Sequence, residues 1–247
     1  MSLQRLWPYK KGILRILSVL FILSISLPPR AQTRDGINLP DHDDKFYHLG
    51  IALIYNNSHF AVTPHPNLLL SDSILYVNPE NTGGFGLAGM HTFNINPHLE
   101  FRIVFPQLMF SYKNLTYNIT FPSGKNTVAT KQIETILLGF PIQVKYLSDR
   151  MHNFRFYMLG GINYQYDLAS NATARKADDL VKVNPYDWSI EAGIGFQFFF
   201  PVFILSPELK ISNGIINVHH RDPNLIYSST IDKLRSRMIV FSLIFEG

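Results

Sequence analysis

The chain has 247 residues, 46% of them hydrophobic and 13% aromatic, and it has no cysteine, which excludes a disulfide framework, a cysteine-based zinc site and thiol catalysis. Its formal charge of +4 resides in the first 31 residues: five of the 22 basic residues (Arg5, Lys10, Lys11, Arg15, Arg30) and no acid lie there, leaving 17 bases against 18 acids and a net of −1. The basic balance therefore gives no support for nucleic-acid binding, and the length suits one sizeable domain or a single barrel.

Residues 1–31 read as a signal peptide. Arg5, Lys10, Lys11 and Arg15 form a basic start, and Ile16 to Leu27 is an apolar run broken only by serines. That run is shorter than the ~20 apolar residues of a spanning helix and suits a signal-peptide core. Cleavage is expected between Ala31 and Gln32. Residues 32–45 then form a polar leader, and 46–247 form the body of the protein. No later segment is a candidate transmembrane helix, because the longest apolar stretches, such as Gln197 to Leu205, stop short and contain Pro201. Entry into a membrane would require a closed barrel, since open sheet edges are not tolerated in lipid.

The body reads as eight strands of period two. The first runs from Phe46 to Asn56, with Tyr47, Leu49, Ile51, Leu53 and Tyr55 on one face. The second is Gly84 to Asn94. The third starts at Leu99, and its parity slips at Pro106 and Gln107, which predicts a bulge. The fourth is Gln132 to Leu147 and the fifth Phe154 to Tyr166. The sixth, Asp187 to Phe199, alternates most strictly: Trp188, Ile190, Ala192, Ile194, Phe196 and Phe198 against Asp187, Ser189, Glu191, Gly193, Gly195 and Gln197. The seventh is Phe203 to Asn213 and the eighth Arg237 to Glu246.

Short connections (Ile95–His98, Ser148–His152, around Phe200–Val202) alternate with long ones (Asn57 to Gly83, Lys113 to Lys131, Asp167 to Pro185, Gly214 to Ser236). The fold class expected is all-β: an eight-stranded antiparallel transmembrane β-barrel with four long outer loops and three short periplasmic turns. Both mature termini then lie on the periplasmic side of the outer membrane. Aromatic residues gather at both ends of the apolar face, with Tyr47, Phe93, Tyr146, Phe154, Phe198 and Phe203 at the turns. At the loops they are Tyr55, Phe85, Tyr112, Tyr164, Tyr166 and Trp188, so that face should meet lipid. The polar face then lines a narrow lumen. Its charges, Glu100, Glu191 and Glu208 with Arg102, Lys145, Arg155 and Lys210, should pair there, because buried charges must. A lumen so filled is not a pore.

Catalytic candidates are few. His219-His220-Arg221-Asp222 precedes Ser228 and Ser229, yet adjacent histidines cannot share one strand face and no spacing defines a triad. His42-Asp43-Asp44 reads as leader rather than as a cation site. No P-loop or Rossmann motif occurs. The expectation is no catalytic residue, no cofactor, no metal, no nucleic acid and no small-molecule substrate.

Several strings, in order, resemble the PorT family (also called SprT) of Bacteroidota outer-membrane proteins. They are Phe140-Pro141 with Lys145-Tyr146, Asn153-Phe154-Arg155 leading to Gly160-Gly161, and Tyr166-Asp167-Leu168-Ala169-Ser170. Ser206-Pro207-Glu208-Leu209-Lys210 and Ile231-Asp232-Lys233-Leu234 with Ser236-Arg237 complete the set. The likeness runs from Asp44 to Glu246, and it departs at Phe156, where the family pattern has proline. It implies a non-enzymatic barrel subunit of the type IX protein secretion system, with other secretion subunits as partners beside outer-membrane lipid. In gliding members this machinery also carries surface adhesins. Tyr166, Asp167, Asp232, Lys233, Arg235 and Arg237 would form a rim that docks a partner. The alternatives are a stand-alone barrel acting as adhesin or envelope anchor, and a barrel enzyme using His219, His220 and Ser228.

Overall fold

The computed structural model describes residues 36–66, 74–120, 126–170, 181–221 and 225–247. The expected signal peptide and the charged stretch Ala174 to Asp179 lie outside the described residues. Among the described residues a short 3-10 turn at Pro40–His42 precedes nine strands: β1 (Tyr47–Pro64), β2 (Ile74–Glu80), β3 (Thr82–Asn96), β4 (Leu99–Thr120), β5 (Asn126–Leu147), β6 (Phe154–Asp167), β7 (Tyr186–Phe199), β8 (Ile204–Gly214) and β9 (Ile231–Glu246). One helical turn, α1 (Ile226–Ser229), leads into β9.

Every strand pairing is antiparallel. The order β2-β4-β3-β1-β9-β8-β7-β6-β5 closes on itself through β4 and β5. The nine strands make eight staves. β3 pairs with the lower part of β4 (Leu99 to Phe110), and β2 takes up the same edge higher, at Asn114 to Ile119. Closure satisfies the backbone of each stave on both sides, which is what a strand needs to cross lipid.

The predicted bulge is present. The β4 register shifts against β3 between Ala88 and Met90 and against β5 between Ile103 and Gln107. Outward positions then change from Phe101, Ile103 and Phe105 to Leu108, Phe110 and Tyr112, and Gln107 and Met109 become buried. Apolar outward side chains form the expected band: Leu49, Ile51, Leu53, Ile162, Ile190, Ile194, Ile211 and Ile239 are all exposed.

The long connections are shorter than expected, because the strands continue into them. β1 runs to Pro64 rather than Asn56, β4 to Thr120, β5 begins at Asn126, and β9 begins at Ile231 rather than Arg237. The reason is a reversal of polarity along the staves. In β4 the outward positions above Tyr112 are Asn114, Thr116 and Asn118, while Leu115 and Tyr117 are buried. The lipid band is apolar outside, and inside it holds the buried polar and charged side chains beside one apolar cluster that includes Ile54, Met90, Val104, Met109 and Val240. The extension above it is polar outside and apolar inside, as in a water-soluble barrel. Phe60, Ile74, Leu115, Tyr117, Ile133, Ile231 and Leu234 form its core, joined by Val181, Val183 and Val218 from the segments after β6 and β8.

Candidate functional site in the barrel lumen

The inward faces of the staves bring charges to the barrel axis. β4 and β8 stand four places apart in the ring of eight staves, so they face each other across it. Arg102 on β4 spans that width. Its Nη1 donates to Glu208 Oε2 at 2.7 Å and its Nη2 to Glu246 Oε1 on β9 at 3.4 Å. Lys145 Nζ donates to Glu100 Oε2 at 2.5 Å, and Lys210 Nζ lies 3.0 Å from Glu191 Oε2. Glu191 also accepts from Gln143 Nε2 at 2.7 Å and from Asn163 Nδ2 at 2.9 Å. All of these side chains are buried. Such pairs form because a lone buried charge is costly, and the surrounding amides and hydroxyls occupy the remaining lone pairs.

Tyr157 organises the middle of this layer. Its hydroxyl donates to Glu208 Oε2 at 2.8 Å, and Lys145 Nζ sits 4.4 Å from its ring centroid, a cation–π contact. The ring fits only because Gly195 on β7 has no side chain, as a Cβ there would overlap it. Above this layer Lys113 donates to Ser236 Oγ at 3.2 Å and lies over the Phe60 ring at 4.6 Å. The lumen is therefore crossed by side chains from wall to wall.

Residues 38–43 close the short-turn end. Asn38 N donates to Asn153 Oδ1 at 2.8 Å, and Asn38 Nδ2 to the Phe199 carbonyl at 2.9 Å. Arg150 donates to the carbonyls of Asn38 and Leu39 and lies 3.6 Å from the Phe199 ring centroid. Asp43 accepts from Arg155 Nη2 at 2.8 Å. His42 is buried against His48 (ring centroids 4.6 Å apart) and Phe199 (6.1 Å). Burial first, then the neighbouring His48, lowers the His42 pKa from 6.5 to about 4.

Of the charges named from the sequence, Glu100, Arg102, Lys145, Glu191, Glu208 and Lys210 meet within the lumen, whereas Arg155 turns to the leader. Glu246, Tyr157 and Asp43 were missed. The alternation of the last strand places Glu246 inward and could have found it.

The expected rim does not assemble as one patch. Asp167 is buried and accepts from the backbone of Ile136 and Ala169, both at 3.0 Å, so it serves as a loop cap. Tyr166 sits on β6 beside Tyr186, while Asp232, Lys233, Arg235 and Arg237 belong to β9, three staves away. His219 Nε2 meets Ser228 Oγ at 3.0 Å, but Ser228 is 0% exposed. His220 is exposed and apart from that contact.

A family model described as "Outer membrane protein beta-barrel domain" matches residues 31–220. The chain belongs to this family. Outer-membrane barrels therefore supply both its fold and its membrane. Among solved structures it is similar to the outer membrane protein OprG from Pseudomonas aeruginosa (13% identity, 81% of this chain and 92% of that one, TM-score 0.43). It is also similar to Neisserial surface protein A (12%, 79% and 95%, TM-score 0.36) and to Ail, the attachment invasion locus protein of Yersinia pestis (10%, 82% and 100%, TM-score 0.35). No curated protein matches the sequence.

Proposed function

We propose that this barrel is a non-enzymatic component of the type IX protein secretion machinery, needed to export cargo that carries a C-terminal sorting domain. The ordered strings shared with the PorT family, from Phe140-Pro141 to Ser236-Arg237, carry this reading. The lumen supports it: Arg102 bridges β4 to β8 across the axis, as in a small barrel filled by side chains, and in this reading the work falls to surfaces at the two ends. In this reading residues 1–31 are removed on export, residues 32–45 are a periplasmic leader, and both mature termini face the periplasm.

Deletion of the coding sequence from its host should leave sorting-domain cargo in the periplasm, and the intact chain supplied in trans should restore export. Normal export in the deletion strain would sink the proposal. Detergent co-purification separates it from the stand-alone adhesin or anchor: the secretion reading requires other subunits to be recovered with the barrel.

A further inference from the structure

The outward side of β9 changes character at one step. From the short-turn end it carries Phe245, Leu243, Phe241 and Ile239, the apolar wall expected in lipid. The next three outward positions are Arg237, Arg235 and Lys233, all exposed. Successive outward positions lie ~7 Å apart along a strand, so the three cations form a strip ~14 Å long that begins where the apolar wall stops. His59 on β1 stands opposite Arg237 in the register.

Among the described residues one carboxylate meets the strip, and it meets Lys233 alone. Asp232 reaches Lys233 at 3.9 Å, and among the described residues no ion pair engages Arg235 or Arg237. Among the described residues the outward acids of the other staves lie elsewhere in the ring: Glu134 on β5, on the opposite wall, and Glu80 on β2, which accepts from Thr116 Oγ1 at 2.6 Å. The strip is therefore a one-sided cationic face at the boundary between lipid and water.

We propose that Arg235 and Arg237, flanked by Lys233, bind the phosphate of a phosphorylated lipid headgroup in the outer leaflet. The chemistry is charge-assisted: guanidinium groups present forked donors that match phosphate oxygens, and they stand at the depth where headgroups begin. The apolar residues below, Ile239 and Phe241, would hold the acyl chains of the same lipid. This inference rests on the placement of the loop end outside the cell.

The test reconstitutes the whole protein in phosphatidylcholine nanodiscs doped with lipid A carrying its phosphates or with the same lipid A after their removal. Lipid retained through detergent exchange is counted by native mass spectrometry. A cation near an anionic surface is worth roughly fivefold in affinity, so the wild type should prefer the phosphorylated form by ~30-fold for two arginines. Arg235→Gln with Arg237→Gln should abolish the preference, while Arg235→Lys with Arg237→Lys should keep most of it. The unboiled gel shift verifies that each variant is folded. Equal retention of both lipids by the wild type, or an undiminished preference in the folded glutamine variant, overturns the proposal. So does full displacement by free inorganic phosphate, which would make the ligand a soluble anion. The cysteine-free chain allows a separate control: Thr63→Cys, beside Lys233 in the register, should react with an impermeant maleimide on intact cells. Failure of that labelling overturns the outside placement, whatever the nanodisc assay gives.

Discussion

Replacing Arg102 by methionine removes a side chain that joins β4 to both β8 and β9 through the lumen. Arg102 is 0% exposed and serves Glu208 at 2.7 Å and Glu246 at 3.4 Å. Its loss takes from two buried carboxylates the cation bonded to them, leaving Lys210 near Glu208 and Lys145 near Glu246. Glu208 would keep the Tyr157 hydroxyl and Glu246 the Ser206 hydroxyl at 3.1 Å, neither of which supplies charge. Breaking a buried ion pair from one side costs ~3–5 kcal/mol, and removing both partners together costs far less. Arg102→Met should therefore destabilise the barrel by ~3–5 kcal/mol. Arg102→Met with Glu208→Leu should cost at least ~2 kcal/mol less than the sum of the two single changes, within the coupling range seen for direct partners. The assay is urea unfolding in lipid vesicles, followed by the gel mobility of unboiled samples. A single-variant cost below ~1 kcal/mol, or strict additivity in the double variant, would show that the pair is incidental and refute the reasoning.

Two further outcomes follow from the short-turn end and from Tyr157. His42 is held neutral in the docked leader, with its pKa lowered to about 4, so undocking takes up a proton. A group of this sign leaves docking at full strength above the free value near 6.5 and weakens it progressively as pH falls toward 4. Protease cleavage of residues 38–44 should accelerate over that window, and His42→Phe should remove the pH dependence; a flat profile in the native chain would contradict the docking geometry. Gly195→Leu places a side chain where the Tyr157 ring lies, and overpacking of this kind costs ~1–3 kcal/mol. Adding Tyr157→Ala should recover part of that loss in the same gel assay, and no recovery would show that the clash lies elsewhere.

The membrane strands were legible because lipid and lumen impose opposite demands on alternate residues. Trp188, Ile190 and Ile194 face outward and Asp187, Ser189 and Glu191 inward, as period two requires. The bulge at Pro106 and Gln107 was legible for the same reason, since a parity slip has few other causes. The role of Tyr157 was not: parity with Arg155 turns it inward, but its contact with Glu208 and its fit against Gly195 join three separate strands. The upward extension of β1, β4, β5 and β9 was read as loop. Its alternation was present in Asn114-Leu115-Thr116-Tyr117-Asn118, but with the polarity reversed. β2 was hidden by Asn78, Pro79 and Glu80, which resemble a turn until β4 provides a partner.

The sequence by itself determined which residues share a face, that the apolar face meets lipid, and that the opposing face must hold its charges in pairs. Those are local and periodic properties, and each strand carries its own copy of them. Only the tertiary structure decided who pairs with whom. Arg102 and Glu208 are 106 residues apart, and they meet because closing eight staves sets β4 across from β8. Arg155 lies on the same inward face as Gln197, its register partner, six residues short of the level of Glu191, and it pairs with Asp43, because the leader folds across the short-turn end and offers a carboxylate there. Ring closure and the path of the leader are non-local, and no periodic signal in one strand encodes them.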